Sequence, residues 1–236
     1  VGRGYDRNKG HGPSNLGLAS EYNGGGSHGG RGRSSGLAVC YGSVTNPVLP
    51  GAGTKDKNAR GGGVIALKTA GELKVDGVIA ADGAPTDYSG GAGGSVKIEA
   101  ASLSGSGTIR ADGGAGWDAK WCCGGGGRVA VRLTGQGAGF SGAPAITAYG
   151  GRLPATAMTA GPGTVWLQTA AEGEGGGRLG IDNGGRQAAY GRADLDGEVE
   201  WSDFGSVVIT NGGNLFLGGN RAVTVSGDWL ACGGSF

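Results

Sequence analysis

The sequence lacks most of what a helical protein or an enzyme displays. No window of useful length carries the 3.6-residue apolar periodicity of an amphipathic helix, and no apolar run approaches the roughly 18 residues that a helical membrane span requires. Charge of one sign is missing as well: 20 Lys and Arg stand against 19 Asp and Glu, for a formal net charge of +1. That balance argues against nucleic acid or a membrane surface as partner, and the Arg31-Gly32-Arg33 pair is too small for an RNA-binding arm. The only 2 histidines, His11 and His28, have no Ser or Cys near them in a nucleophile setting. They are expected to be solvated or to touch a neighbouring subunit. There is no C-x-x-C pair, no G-x-x-x-x-G-K-[ST] phosphate loop and no N-x-[ST] sequon. No metal, nucleotide or other cofactor is expected.

What the chain has is glycine, 59 of 236 residues. Ordering a glycine loses more backbone entropy than any other residue and buries no side chain, so this density ordinarily accompanies low complexity. Here, however, the glycine clusters alternate with short period-2 runs such as Val64-Ile65-Ala66-Leu67 and Val96-Lys97-Ile98, the pattern of β-strands.

These runs repeat. Gly63-Val64-Ile65-Ala66-Leu67, Gly94-Ser95-Val96-Lys97-Ile98, Gly127-Arg128-Val129-Ala130-Val131 and Gly163-Thr164-Val165-Trp166-Leu167 align, with first-valine offsets of 32, 33 and 36 residues. A second strand follows each: Val78 to Ala81, Thr108 to Ala111 and, more loosely, Ala145 to Gly150 and Arg178 to Asn183. One such unit cannot bury its own apolar face, so units must stack. The expected fold is all-β, a parallel β-helix or solenoid-like stack with long Gly-rich insertions on one face. Those insertions are either loose loops or polyproline-II-like strands packed backbone to backbone. Three regions follow: a Gly/Arg/Ser-rich arm over 1–35, the repeat domain over 36–185 with units near 63–93, 94–126, 127–162 and 163–185, and a short-strand segment over 186–236. In the last, Val207-Val208-Ile209, Leu215-Phe216-Leu217 and Val223-Thr224-Val225 recur every eight residues, which suits a meander or short solenoid turns. Both termini suggest a processed chain or a piece of a longer one.

Strings such as G-T-I-R-A-D-G-G (107–114), G-G-G-G-R-V-A-V (124–131) and G-P-G-T-V-W-L (161–167) resemble the glycine-rich repeats of very large bacterial and algal or protist cell-surface and fibre proteins. The resemblance covers roughly residues 61–185. It implies location and shape rather than chemistry, and the fourth unit departs from it by losing its glycine insertion.

Candidate chemistry is sparse. Asp82, Asp112 and Asp182 end equivalent strands, with Tyr149 in the third unit. They suit Asx turns, and a calcium or glycan-processing ladder is the alternative. Gly113-Gly114-Ala115-Gly116-Trp117-Asp118 matches one calcium nonapeptide opening, but that motif acts in tandem copies. Trp117, Trp121 and Tyr149 are the candidate glycan-stacking rings, set against ordinary packing roles. Cys40, Cys122, Cys123 and Cys232 are disulfide candidates, with the vicinal pair reaching out to Cys40 and Cys232. That pairing would place the chain in an oxidising compartment. The densest acidic stretch, Asp194, Asp196, Glu198, Glu200 and Asp203, would align four carboxylates on one side if extended. The expected function is that of a non-enzymatic subunit or module of an extracellular or cell-surface fibre, filament or adhesin, self-associating through β-edges and Gly-rich arms. A polysaccharide-binding module or a β-helix polysaccharide lyase or hydrolase is the alternative. The threonines are too irregular for an ice-binding face.

Overall fold

The computed structural model describes residues 3–19, 24–33, 38–55, 59–117, 122–153, 159–173, 175–186, 191–201, 203–219 and 222–232. Among them the chain is all-β, and the one helical element is a single 3-10 turn, Ala170–Glu172. In chain order the strands are β1 (Gly42–Ser43), β2 (Val64–Lys68), β3 (Glu72–Lys74), β4 (Val78–Ala80), β5 (Ser95–Ala100), β6 (Ser102–Ser104), β7 (Thr108–Arg110), β8 (Arg128–Leu133) and β9 (Ala145–Thr147). They continue with β10 (Thr164–Gln168), β11 (Arg178–Asp182), β12 (Ala193–Leu195), β13 (Val199–Glu200), β14 (Ser206–Thr210), β15 (Leu215–Leu217) and β16 (Trp229–Cys232).

The sequence repeat becomes a parallel ladder. β2, β5, β8 and β10 pair side by side so that Val64, Ser95, Arg128 and Thr164 lie in one row. This is the register obtained by aligning the units on their glycines. Counting from valines slips the first unit by one residue, because Ile65 and not Val64 lies opposite Val96. The second strands form their own parallel ladder, β4-β7-β9, and β3 pairs with β6 between the two. Period-2 alternation then sends Val96, Ile98, Val129, Val131, Leu133 and Leu167 to one face. There they pack with Leu103 and Ile109 as a first core.

The fourth unit breaks the pattern. Arg178–Asp182 does not extend the second ladder as the sequence suggested. After β10 the chain passes the 3-10 turn and reverses through Gly173 and Gly175, whose φ angles of 69° and 73° lie in the left-handed region that favours glycine. β11 therefore returns antiparallel beside β10, with Leu179 opposite Trp166. β14 and β16 then add in parallel, completing a seven-stranded sheet ordered β16-β14-β11-β10-β8-β5-β2. Residues opposite one another share a face, so Leu179 joins Trp166 on the side away from the first core. Ile181, Val207 and Ile209 follow it into a second core with Phe204, Leu195 and Leu215. One sheet thus carries two cores on opposite faces. The eight-residue spacing near the C-terminus resolves as short parallel pairings, β12 with β15 and β14 with β16, rather than a meander.

The glycine insertions are neither loose nor exposed. Residues 24–30, 51–54, 61–63, 89–94 and 123–127 are buried, and they bond backbone to backbone. Gly93 N–H donates to Gly125 C=O at 2.9 Å, Gly125 N–H to Gly26 C=O at 2.9 Å, and Gly126 N–H to Gly161 C=O at 3.0 Å. The arm threads into this layer: Gly30 N–H reaches Gly126 C=O at 2.8 Å, and Gly161 N–H reaches Arg31 C=O at 2.8 Å. The described Gly-rich segment of the arm is thus packed into the chain's own glycine layer. A Cβ at Gly93 would sit 2.1 Å from the carbonyl oxygen of Ala111, and one at Gly126 would sit 2.0 Å from that of Ala148. Backbone lies on each side, so nothing flexible can yield.

Gly93→Ala should therefore lower unfolding free energy by at least about 3 kcal/mol, at or beyond the upper end of ordinary overpacking. At exposed Gly139 a Cβ meets nothing within 4 Å, so Gly139→Ala should stay within about 1 kcal/mol of the parent. Urea unfolding of the two variants compares them directly.

Candidate functional site

The side switch of the main sheet leaves a crevice on each face, because each core ends where the other begins. On the face of the second core, the outward residues of the first units stand in rows: Ala66, Lys97, Ala130 and Trp166 in one, Lys68, Glu99, Arg132 and Gln168 in the next. The second row alternates charge across neighbouring strands, a favourable cross-strand arrangement. Lys68 Nζ lies 2.7 Å from Glu99, and this contact, helped by Arg132 and Lys97, holds the Glu99 carboxyl below its usual range. The segment after β1 crosses this face, where Ser95 Oγ donates to Leu49 C=O at 2.6 Å and Lys97 Nζ donates to Asn46 Oδ1 at 2.6 Å. Between that segment and the sheet lies a groove of about 510 Å³ lined by Thr45, Asn46, Lys97, Arg132, Trp166 and Gln168. On the opposite face a smaller crevice of about 340 Å³, lined by Phe140, Ile146, Val165 and Val208 with Arg178 and Asp182, marks where the first core stops.

A polar cluster binds the arm to the repeats beside this sheet. Arg128, the outward residue that opens β8, is fully buried. Its guanidinium donates to Tyr41 C=O at 3.0 Å, to Thr164 Oγ1 at 3.1 Å and to His28 C=O at 3.5 Å. Burial lowers its pKa to about 10, partly opposed by the fields of Cys40, Tyr41 and Asp194. Asp194 is itself buried and ion-pairs with Arg31 and, at 2.8 Å, with Arg192. Breaking up such a cluster leaves uncompensated buried charge, which is strongly destabilising.

The histidines belong to this cluster: His28 is buried and His11 half-buried. His11 stacks on Tyr41 with ring centroids 5.4 Å apart, and its Nδ1 is 2.8 Å from the Tyr5 hydroxyl. His28 is buried against Tyr41 with Nδ1 2.9 Å from Gly93 C=O, so that nitrogen carries the proton and donates it. Sequence reasoning missed Arg128 and Tyr41. An Arg in the row otherwise held by Val64, Ser95 and Thr164 was the available signal.

The remaining sequence candidates are dispersed. Asp82 Oδ1 accepts the N–H of Asp112 at 2.9 Å, and Asp112 Oδ1 accepts the N–H of Tyr149 at 2.7 Å. These carboxylates therefore clamp the next unit rather than close turns on their own backbone. Asp182 does bond locally, accepting Gly184 N–H at 2.6 Å, while Asn183 Oδ1 takes the clamping role toward Gly150 N–H at 2.8 Å. Burial raises the Asp112 pKa against the pull of these bonds. Among the described residues no three His, Cys, Asp or Glu side chains gather as a metal site. Trp117 is 65% exposed, Tyr149 lies under the Arg186 guanidinium at 5.2 Å, and Trp121 and Asp118 lie outside the described residues. The acidic stretch is not one extended face: Asp194 and Glu200 sit on separate strands of different sheets, and Val199 N–H closes a turn onto Asp196 C=O at 2.7 Å.

The four cysteines are thiols in this structure. Cys40 lies in the second core, Cys123 in a separate cluster with Leu153 and Ala160, and Cys232 is exposed at the end of β16. Burial pushes the Cys40 and Cys123 thiols up to about 12, so neither is a nucleophile at neutral pH. Comparison with protein-family models, with curated proteins and with solved structures finds no match.

His28 sets a pH dependence. Burial, with the nearby Arg128 charge, lowers its pKa to about 3 from an ordinary 6.5. The unfolded chain then binds a proton below pH 6.5 that the folded chain refuses, so stability falls as pH drops toward 3. Denaturant unfolding should lose about 2 kcal/mol from this group between pH 7.5 and pH 5. A His28→Gln variant should show that much less loss.

Proposed function

We propose that the chain is a solenoid-like stack serving as a structural, non-catalytic subunit or module of an extracellular or cell-surface fibre, filament or adhesin, and that it associates end to end through its β-edges. The observation that carries this role is the open character of both outer strands of the main sheet. Among the described residues β2 and β16 each pair on one side only, so each presents a row of backbone donors and acceptors to a further strand. Exposed apolar side chains lie there too, Leu67 on β2 and Leu230 on β16, and Val78 is exposed on β4, an outer strand of the second ladder.

Charge favours the same head-to-tail arrangement. Residues 1–60 hold eight Lys or Arg against three Asp or Glu, and residues 193–236 hold one against six. The start of the arm lies beside the first unit, where Tyr5 N–H reaches Gly51 C=O at 3.0 Å and Gly4 N–H reaches Gly61 C=O at 3.0 Å, whereas Arg31 is spent on Asp194 within the same chain. Opposite ends of opposite sign align copies tail to head, giving a heterologous contact that propagates instead of closing. The described Gly-rich segments of the arm bond to backbone of their own chain, as Gly30 N–H does to Gly126 C=O, so the contact falls to the β-edges. The extracellular setting is carried by the resemblance of the repeats rather than by disulfides.

Negative-stain electron microscopy of the concentrated chain at low ionic strength should show linear end-to-end particles. The double variant Val78→Lys/Leu230→Lys should reduce their fraction at least tenfold. Monodisperse single particles of the parent chain at every concentration would overturn the assignment.

A further inference from the structure

The 510 Å³ groove over β5, β8 and β10 has no part in end-to-end assembly, since it opens on the sheet face and not at an edge. Its volume is within the range of small-ligand sites, and its lining is chemically specific. Lys97 spends one N–H on Asn46 and keeps two for a ligand. Arg132, one strand over, is exposed and adds the planar fork suited to a carboxylate. The one acid in the groove, Glu99, is already engaged by Lys68, so the two cations leave the groove net positive. Between them stand hydroxyl and amide groups of Thr45, Asn46 and Gln168, and the floor is Ala130 and Trp166.

Trp166 closes the floor, with its indole nitrogen against the backbone at Gly177. The residue is only 6% exposed, and its Nε1–H has no hydrogen-bond partner among the described residues. The burial decides which ligand fits. With no open ring face on Trp166 and only a methyl group on Ala130, the floor offers no platform for stacking a neutral sugar. Recognition falls to charge and hydrogen bonding.

We infer that this groove binds an acidic oligosaccharide, a short run of uronic-acid sugars. A carboxylate would lie on Arg132 and Lys97, and hydroxyls would take the bonds offered by Thr45, Asn46 and Gln168. Neither Trp117 nor Tyr149 is part of this site, and the inference stands whether or not the chain assembles.

Isothermal titration calorimetry of the full chain, which works on monomer and polymer alike, with trigalacturonate, maltotriose and sodium sulfate tests it. Trigalacturonate should bind, maltotriose should bind at least tenfold more weakly, and sulfate at equal anion concentration should give no comparable heat. Arg132→Gln should weaken trigalacturonate binding at least tenfold with an unchanged melting temperature, and Arg132→Lys should restore part of the loss. The assignment is overturned if trigalacturonate does not bind, if maltotriose or sulfate binds as well, or if Arg132→Gln leaves its affinity intact.

Discussion

Every larger feature of this chain depends on backbone amides meeting backbone carbonyls where side chains are missing. At Gly62, Gly93 and Gly126 a Cβ would collide with the carbonyl oxygens of Ala81, Ala111 and Ala148, all at 2.1 Å or less. The same three residues donate to Ala92, Gly125 and Gly161 in neighbouring segments. Glycine is usually a liability because it buries no side chain. Here its bareness lets segments far apart in sequence approach to hydrogen-bonding distance, so the entropy lost on ordering is offset by buried backbone bonds. The β-ladders hold one flank of each unit, the glycine layer holds the other, and the arm is locked between segments that only the folded repeats bring together.

The second organising event is the reversal after β10. In the first three units the chain goes on from the first strand to the parallel second ladder β4-β7-β9. The short Thr169 to Gly177 connection instead returns the chain antiparallel, and the face shared by Trp166 and Leu179 becomes the inside of the second core. Two crevices are the geometric remainder of that switch. The groove inherits the outward rows of the first units, which explains why its lining is charged, and it also takes in Trp166, whose N–H the second core leaves without an acceptor.

Much of this was legible in the sequence, and the limits are physical. Strand positions and register followed from alternation and from the glycine before each strand. The second strand at Arg178 to Asp182 was misplaced because its apolar pattern is the same for a parallel and an antiparallel neighbour; only the loop separates them. The ordering of the glycine segments could not be read, since a residue without a side chain leaves no pattern to mark which carbonyl it meets. The polar cluster stayed hidden for another reason: Arg128, His28, Tyr41 and Asp194 are scattered over more than 160 positions and converge only through the fold. Asp82 and Asp112, expected to close Asx turns, are instead side-chain clamps on the next unit's backbone.

Amide hydrogen exchange at the glycine layer tests the central claim most directly. If the segments are held backbone to backbone, the N–H groups of Gly93, Gly125, Gly126 and Gly161 should be protected as strongly as those of Val129 and Val131 within β8. Exchange of those glycines at the rate of an open loop, with β8 still protected, would contradict it.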